Sequence, residues 1–250
     1  MESLIKKNEK IFLAGASGMV GSAIKKILIS KSYGSKSLNG ELLMPTRKML
    51  NLLDYEAVQN WMQENRPTVV IIAAAKVGGI LANSNFPADF LMENLKIQLN
   101  IIEAAWRCGV KRLLFLGSSC IYPKETKQPI KEEYLLESQL ESTNQWYALA
   151  KIAGLKLCEA LRLQHNFDAI SLMPTNLYGP GDNYHPNNSH VLPALIKKFC
   201  EAIDRNDTEV ICWGSGKPYR EFLHVDDLGD ACLFALEKWK PGSKNSAKLS

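Results

Sequence analysis

The stretch Lys10-Ile-Phe-Leu-Ala-Gly15-Ala-Ser-Gly18-Met-Val-Gly21 decides the fold. An apolar run of strand length meets glycines at every third position, and an amphipathic segment over Met19–Ser30 follows directly. A buried strand, Lys10–Gly15, that turns straight into a helix opens a β-α-β unit. Glu41–Met44 then reads as a second strand. Asp54 can cap a helix running to Asn65, which Pro67 stops. Thr68–Ala73 is continuous and β-branched, as in a strand covered on both faces. Pro87 suits a first helical turn and Gly109 a helix end, so Pro87–Cys108 is one long helix. A strand at Arg112–Gly117, a helix at Gln145–Gln164 and a strand at Asp168–Met173 follow. The last elements expected are a helix over Val191–Ile203, a strand over Glu209–Trp213 and a helix opened by Asp226 or Asp227. Strands alternating with helices predict an α/β, Rossmann-type doubly wound parallel sheet with right-handed crossovers.

Composition narrows the function classes. The 250 residues are 46% hydrophobic and 22% charged, which is ordinary for a soluble globular chain of one large or two unequal domains. Thirty basic residues against 26 acidic ones give a net charge of +4. The pairs Lys6-Lys7, Lys25-Lys26 and Lys197-Lys198 are scattered and not interleaved with aromatics, so they read as solvated surface and not as a nucleic-acid face. No apolar run approaches the roughly 18–20 residues that cross a bilayer, and Met1 to Lys10 is too polar for a signal peptide. The six cysteines are far apart and form no C-x-x-C pair, which argues against a metal site and against a disulfide scaffold. The expected compartment is the reducing cytoplasm. There is no internal repeat, and residues 241–250 read as a frayed tail.

Three glycines between a strand and a helix allow a tight turn, close approach of a pyrophosphate and close helix packing. The helix N-terminus adds free N–H groups and the positive end of its dipole. Gly15, Ala16, Ser17, Gly18, Met19, Val20 and Gly21 are therefore the expected cradle of a dinucleotide. The end of the second strand, Met44-Pro-Thr-Arg47-Lys48, has no carboxylate for ribose hydroxyls but two cations suited to a 2′-phosphate. That favours NADP(H) over NAD; a solvated loop is the alternative.

Tyr147 and Lys151 lie four apart on one helix and share a face. An ammonium beside a phenol favours the phenolate, so Tyr147 is expected to have a lowered pKa and to protonate a carbonyl being reduced. A packed Tyr with a surface Lys has the same spacing. Ser118 follows the Arg112–Gly117 strand and so stands at the carboxyl edge of the sheet, where ligands bind in such folds. Cys120 can act as a base if its thiolate is stabilised; a buried inert cysteine is the other reading.

Together these blocks resemble the extended short-chain dehydrogenase/reductase family, and within it the nucleotide-sugar epimerase-reductases. The resemblance runs from about residue 10 to about residue 238. It is carried by Ala73-Ala-Ala-Lys-Val-Gly-Gly79, Gly117-Ser-Ser-Cys-Ile-Tyr-Pro123, Tyr147 to Lys151, Met173-Pro-Thr-Asn-Leu-Tyr-Gly179, Asn188-Ser-His190 and Trp213-Gly-Ser-Gly-Lys-Pro-Tyr-Arg-Glu-Phe-Leu-His-Val-Asp226. It implies conversion of GDP-4-keto-6-deoxy-D-mannose to GDP-L-fucose by 3,5-epimerisation and 4-keto reduction. Ser118, Tyr147 and Lys151 would be the reductase triad, with Cys120 and His190 the base and acid of the epimerisations. Arg47, Lys151, Pro174, Thr175, Asn176, Leu177 and His190 would join the glycine turn in lining NADP(H). Lys198, Trp213 and Arg220 would hold the GDP-sugar. His224 reads as structural, bonding backbone at a strand end. A homodimer through the two long helices is also implied.

Two features depart from that pattern. Ser17 stands where the family commonly carries Arg, and family members continue beyond residue 250. The expected organisation is a dinucleotide-binding domain over 1–175 and an incomplete, C-terminally truncated substrate-binding region over 176–250, with 208–240 returning to the first domain. Another nucleotide-sugar 4-epimerase or 4,6-dehydratase, and an NADP-binding protein with little catalysis, are the competing readings.

Overall fold

A computed structural model describes residues 2–185, 189–212, 214–217 and 219–241. Five parallel strands form the central sheet: β1 (Lys10–Ala14), β2 (Glu41–Leu43), β3 (Val69–Ile72), β4 (Arg112–Leu116) and β5 (Ala169–Leu172), in the order β2-β1-β3-β4-β5. The order reverses at β1, where the crossovers leave in opposite directions and open a crevice at the carboxyl ends.

Each strand is apolar on both sides because both faces are covered. Ile11 and Leu13 of β1, Val69 and Ile71 of β3 and Leu114 and Leu116 of β4 pack into one layer with α1 (Met19–Ser30) and α7 (Val225–Lys238). Their alternates Phe12, Val70, Ile72, Leu113 and Phe115 pack into the opposite layer. That layer is covered by α2 (Tyr55–Asn65), α4 (Pro87–Arg107) and α5 (Gln145–His165). The predicted boundaries hold to within one or two residues, and the Asp54 carboxylate caps α2 by accepting the Ala57 N–H at 3.0 Å.

Two local expectations are corrected, and two elements are additional to those expected. Glu209–Cys212 is not a strand: Ile211 is 78% exposed and no neighbouring strand offers a ladder, while Trp213 lies outside the described residues. The chain instead forms a separate two-stranded parallel pair, β6 (Asn176–Tyr178) with β7 (Phe222–His224). A short helix, α3 (Ile80–Asn85), precedes α4. Finally, α7 is capped by His224, whose Nδ1 accepts the Asp226 N–H at 3.2 Å, and not by Asp226 or Asp227. That bond is the structural role expected of His224. The expected helix near Val191 is α6 (Val191–Arg205). The tail at 242–250 lies outside the described residues. Among the described residues no helix is long and apolar enough to cross a membrane, and no His/Cys/Asp/Glu cluster could hold a metal ion.

Candidate active site

The glycine turn joins β1 to α1. Gly15 has φ +85°, and a Cβ there would lie 2.7 Å from Ala74 N, so the turn is pressed against the segment leaving β3. A Cβ on Gly21 would lie 2.0 Å from the Gly15 carbonyl oxygen, which explains why helix and turn can touch only through glycine. Gly18 differs: its added Cβ would meet only Gly15 O, at 3.5 Å. Gly18 caps α1 with no side-chain hydrogen bond to the first-turn N–H groups. An exposed, uncapped helix N-terminus beside a turn of glycines fits a pyrophosphate. Arg47 and Lys48 stand exposed in the turn beyond β2, next to β1 in the sheet, and have no ion-pair partner among the described residues.

The segment leaving β3 carries a contact that sequence reasoning missed. Asn94 of α4 is buried, accepts the Lys76 N–H at 2.9 Å and donates to the Lys76 carbonyl at 3.0 Å. This amide fixes the 73–76 segment that rests on Gly15. The only signal available was a polar residue on an apolar helix face.

At the carboxyl end of β4, Ser118 begins a short 3-10 turn over Ser119–Ile121, and its Oγ accepts the Cys120 N–H at 3.4 Å. The Ser119 N–H donates to the Pro174 carbonyl at 3.0 Å, tying this corner to the segment after β5. Tyr147 and Lys151 reach the same corner from α5. The Lys151 side chain is buried, donates to the Leu116 carbonyl at 2.8 Å, and lies 4.9 Å from the Phe115 ring centroid and 5.7 Å from that of Tyr147. α5 approaches closely through Gly154, where a Cβ would stand 2.7 Å from Phe115 Cζ. Ser118, Cys120, Tyr147 and Lys151 thus form one cluster at the sheet edge.

The electrostatics of this cluster differ from the sequence expectation. Burial raises the Tyr147 phenol above its ordinary range, and the adjacent Cys120 adds to the rise. The Lys151 ammonium, expected to lower it, donates to the Leu116 carbonyl, and burial sets the direction of the shift. Tyr147 stays protonated at neutral pH, which suits a proton donor. Burial also pushes the Cys120 thiol up, while the Ser118 hydroxyl and the Lys151 charge pull it back toward the thiolate.

Burial pulls Lys151 from 10.5 down to about 8. A lysine depressed in the folded state contributes full stability above its unfolded pKa of 10.5, and loses it as the pH falls to about 8. The ammonium thus costs about 3 kcal/mol at pH 7, against about 1 kcal/mol regained from its carbonyl hydrogen bond. Lys151→Met is expected to raise the urea unfolding free energy of the ligand-free protein by about 2 kcal/mol at pH 7, with the gain gone near pH 10.5. A pH-independent change, or a loss at pH 7, contradicts this.

The remaining predicted residues are placed as follows. His190 is exposed at the N-terminus of α6, where its carbonyl accepts the Ala194 N–H at 3.1 Å. No hydrogen bond, ion pair or ring contact joins its imidazole to the Cys120 cluster among the described residues. Asn188 lies outside the described residues. Pro174 stands at the β4 corner through the Ser119 bond, while Leu177 lies in β6, opposite Leu223 of β7. The side chains of Thr175 and Asn176, expected along the cofactor, donate to the Glu221 carbonyl. Lys198 Nζ donates to the Ile211 carbonyl at 3.3 Å, and Arg220 is exposed with Nη1 donating to the Tyr219 carbonyl at 2.8 Å.

A switch-point crevice with an uncapped glycine turn and a Ser–Tyr–Lys cluster defines a class of nucleotide-dependent enzymes. The chain belongs to the NAD dependent epimerase/dehydratase family, whose profile matches residues 11–247. Its relatives within that family include GDP-L-fucose synthases. GDP-L-fucose synthase 1 of Arabidopsis thaliana is 54% identical over 239 residues, covering 96% of this chain and 72% of that protein. GDP-L-fucose synthase of Escherichia coli K12 is 53% identical over 229 residues, covering 92% and 70% respectively. Among solved structures, the GDP-L-fucose synthetase of Naegleria fowleri bound to NADP superposes with a TM-score of 0.83 at 29% identity, covering 99% of this chain and 81% of that one.

Proposed function

We propose that the chain converts GDP-4-keto-6-deoxy-D-mannose to GDP-L-fucose with NADP(H). The observation that carries this reading is the convergence of Ser118, Cys120, Tyr147 and Lys151 on one corner, in a chain over half identical to GDP-L-fucose synthases. The glycine turn Gly15 to Gly21 holds the pyrophosphate, with Pro174 and Leu177 beside it and Arg47 and Lys48 on the 2′-phosphate. NADP(H), when bound, supplies the hydride.

The 4-ketone acidifies the hydrogens on carbons 3 and 5 of the sugar. Cys120 takes a proton from one face, and His190 returns one from the other. Closing the site must bring the His190 imidazole to the sugar. Negative charge on the ketone oxygen is met by Ser118 and Tyr147, which are fixed before reaction and need little reorganisation. Tyr147 gives that oxygen its proton in the reduction. Lys151 keeps the corner positive, and Lys198, Trp213 and Arg220 hold the GDP portion. Residues 1–175 bind dinucleotide and 176–250 contribute the substrate side, with 208–240 returning α7 to the sheet.

Incubation of the protein with GDP-4-keto-6-deoxymannose and NADPH tests this. GDP-L-fucose and consumed NADPH are expected. A 4-reduced sugar with unchanged carbons 3 and 5, or intact substrate beside bound cofactor, contradicts it.

The same reading includes a homodimer. α4 and α5 pack against each other and leave Met92 (52%), Leu99 (40%) and Leu149 (39%) exposed. An isologous pairing of these faces makes a four-helix layer. Sedimentation should give a dimer that Leu99→Asp with Leu149→Asp dissociates; a monomer at all concentrations contradicts it.

A further inference from the structure

The Glu221 carbonyl receives three donors: Thr175 Oγ1 at 2.5 Å, Asn176 Nδ2 at 3.1 Å and the Asn176 N–H at 3.3 Å. A carbonyl oxygen has two lone pairs, so three donors exceed what strand pairing alone asks of it. The β6–β7 ladder begins at the next step, Asn176 opposite Phe222. Along 206–221 the described residues have no helix or strand, and this clamp is where that segment joins regular structure. Within it, the Ile211 carbonyl accepts from Lys198 Nζ. Arg220 immediately precedes the clamped carbonyl and is exposed.

We infer that Thr175 is a positioning residue for the nucleotide-sugar side of the site: its hydroxyl fixes the main chain at Glu221, so that Arg220 presents its guanidinium to a diphosphate. This rests on the reading of Arg220 given under Proposed function. The Thr175 hydroxyl, engaged with Glu221, then contributes little to the dinucleotide. A segment without regular structure samples many backbone conformations, and a bound anion must select the one that aims the guanidinium. The clamp makes that selection beforehand.

Calorimetric titration of the whole protein with GDP, and separately with NADP+, tests the assignment in wild type, Thr175→Val, Thr175→Ser and Arg220→Ala. Thr175→Val keeps the shape and removes the donor. It is expected to weaken GDP about tenfold, as one lost hydrogen bond allows, and to leave NADP+ within about twofold. Thr175→Ser restores the donor and should return GDP affinity to within about threefold of wild type. Arg220→Ala should weaken GDP at least as much as Thr175→Val. Unchanged GDP affinity in Thr175→Val overturns the inference while leaving Arg220 on the substrate. Equal weakening of both nucleotides overturns it too, since a general loosening of the fold would do that. Wild-type GDP binding by Arg220→Ala removes Arg220 from the substrate side and the inference with it.

Discussion

Cys120→Ser is expected to cut deuterium exchange at sugar carbons 3 and 5 by about 10³-fold, while NADP+ affinity stays within about twofold. The reasoning starts from proton affinity. A thiol with an ordinary pKa near 8.5 is within reach of a base at neutral pH, whereas a serine hydroxyl is far above it. Burial works against Cys120 by raising its pKa. The Ser118 hydroxyl and the Lys151 charge oppose that rise, and the glycine turn is a separate segment, joining β1 to α1. Removing the sulfur should therefore leave the dinucleotide cradle untouched. Exchange and NADP+ binding read the two functions separately, in buffered D2O by proton NMR and by titration. If both fall together, Cys120 supports the fold and is not the base.

Tyr147→Phe is expected to reduce NADPH oxidation by about 10²–10⁴-fold while exchange at carbons 3 and 5 persists at a lower rate. Burial raises the phenol above its ordinary range, so it carries a proton to give at neutral pH. Loss of that donor leaves the new alkoxide without its acid, but Ser118 can still accept part of the charge that forms during exchange. Phenylalanine fills nearly the same volume at this partly accessible position, so the packing cost is small. Stopped-flow absorbance at the nicotinamide band and NMR exchange on one preparation separate the steps. Undiminished NADPH oxidation rules Tyr147 out as the proton donor.

The parts of the molecule legible in the sequence are those whose physics is local. Val69–Ile72 and Arg112–Leu116 are buried along their whole length, and two-sided burial writes itself as an uninterrupted apolar run. Asp54 and Pro67 mark a helix end by chemistry that needs no partner elsewhere. Glu209–Trp213 misled for the opposite reason: β-branched and aromatic residues look alike whether or not a neighbouring strand exists, and here none pairs with Glu209–Cys212. β6 and β7 are three residues each and lie far apart in the chain, so their pairing leaves no periodic trace.

The site was legible to a similar extent. Helical spacing placed Tyr147 and Lys151 on one face, and the strand end placed Ser118 at the crevice. The sign of the Tyr147 shift was not readable, because it depends on how deeply α5 sinks against β4 through Gly154. The partners of Thr175 and Asn176 were not readable either, since the carbonyl they hold belongs to a segment some 45 residues downstream.

One labelling pattern bears most directly on the claim that a single corner performs epimerisation and reduction. The intact protein is given GDP-4-keto-6-deoxymannose and NADPH in D2O, and the sugar product is read by NMR. Deuterium at carbons 3 and 5 with protium delivered to carbon 4 is the predicted product. A reduced sugar that keeps protium at carbons 3 and 5 would contradict the account, because the hydroxyl–thiol–phenol–ammonium cluster would then be a reductase alone.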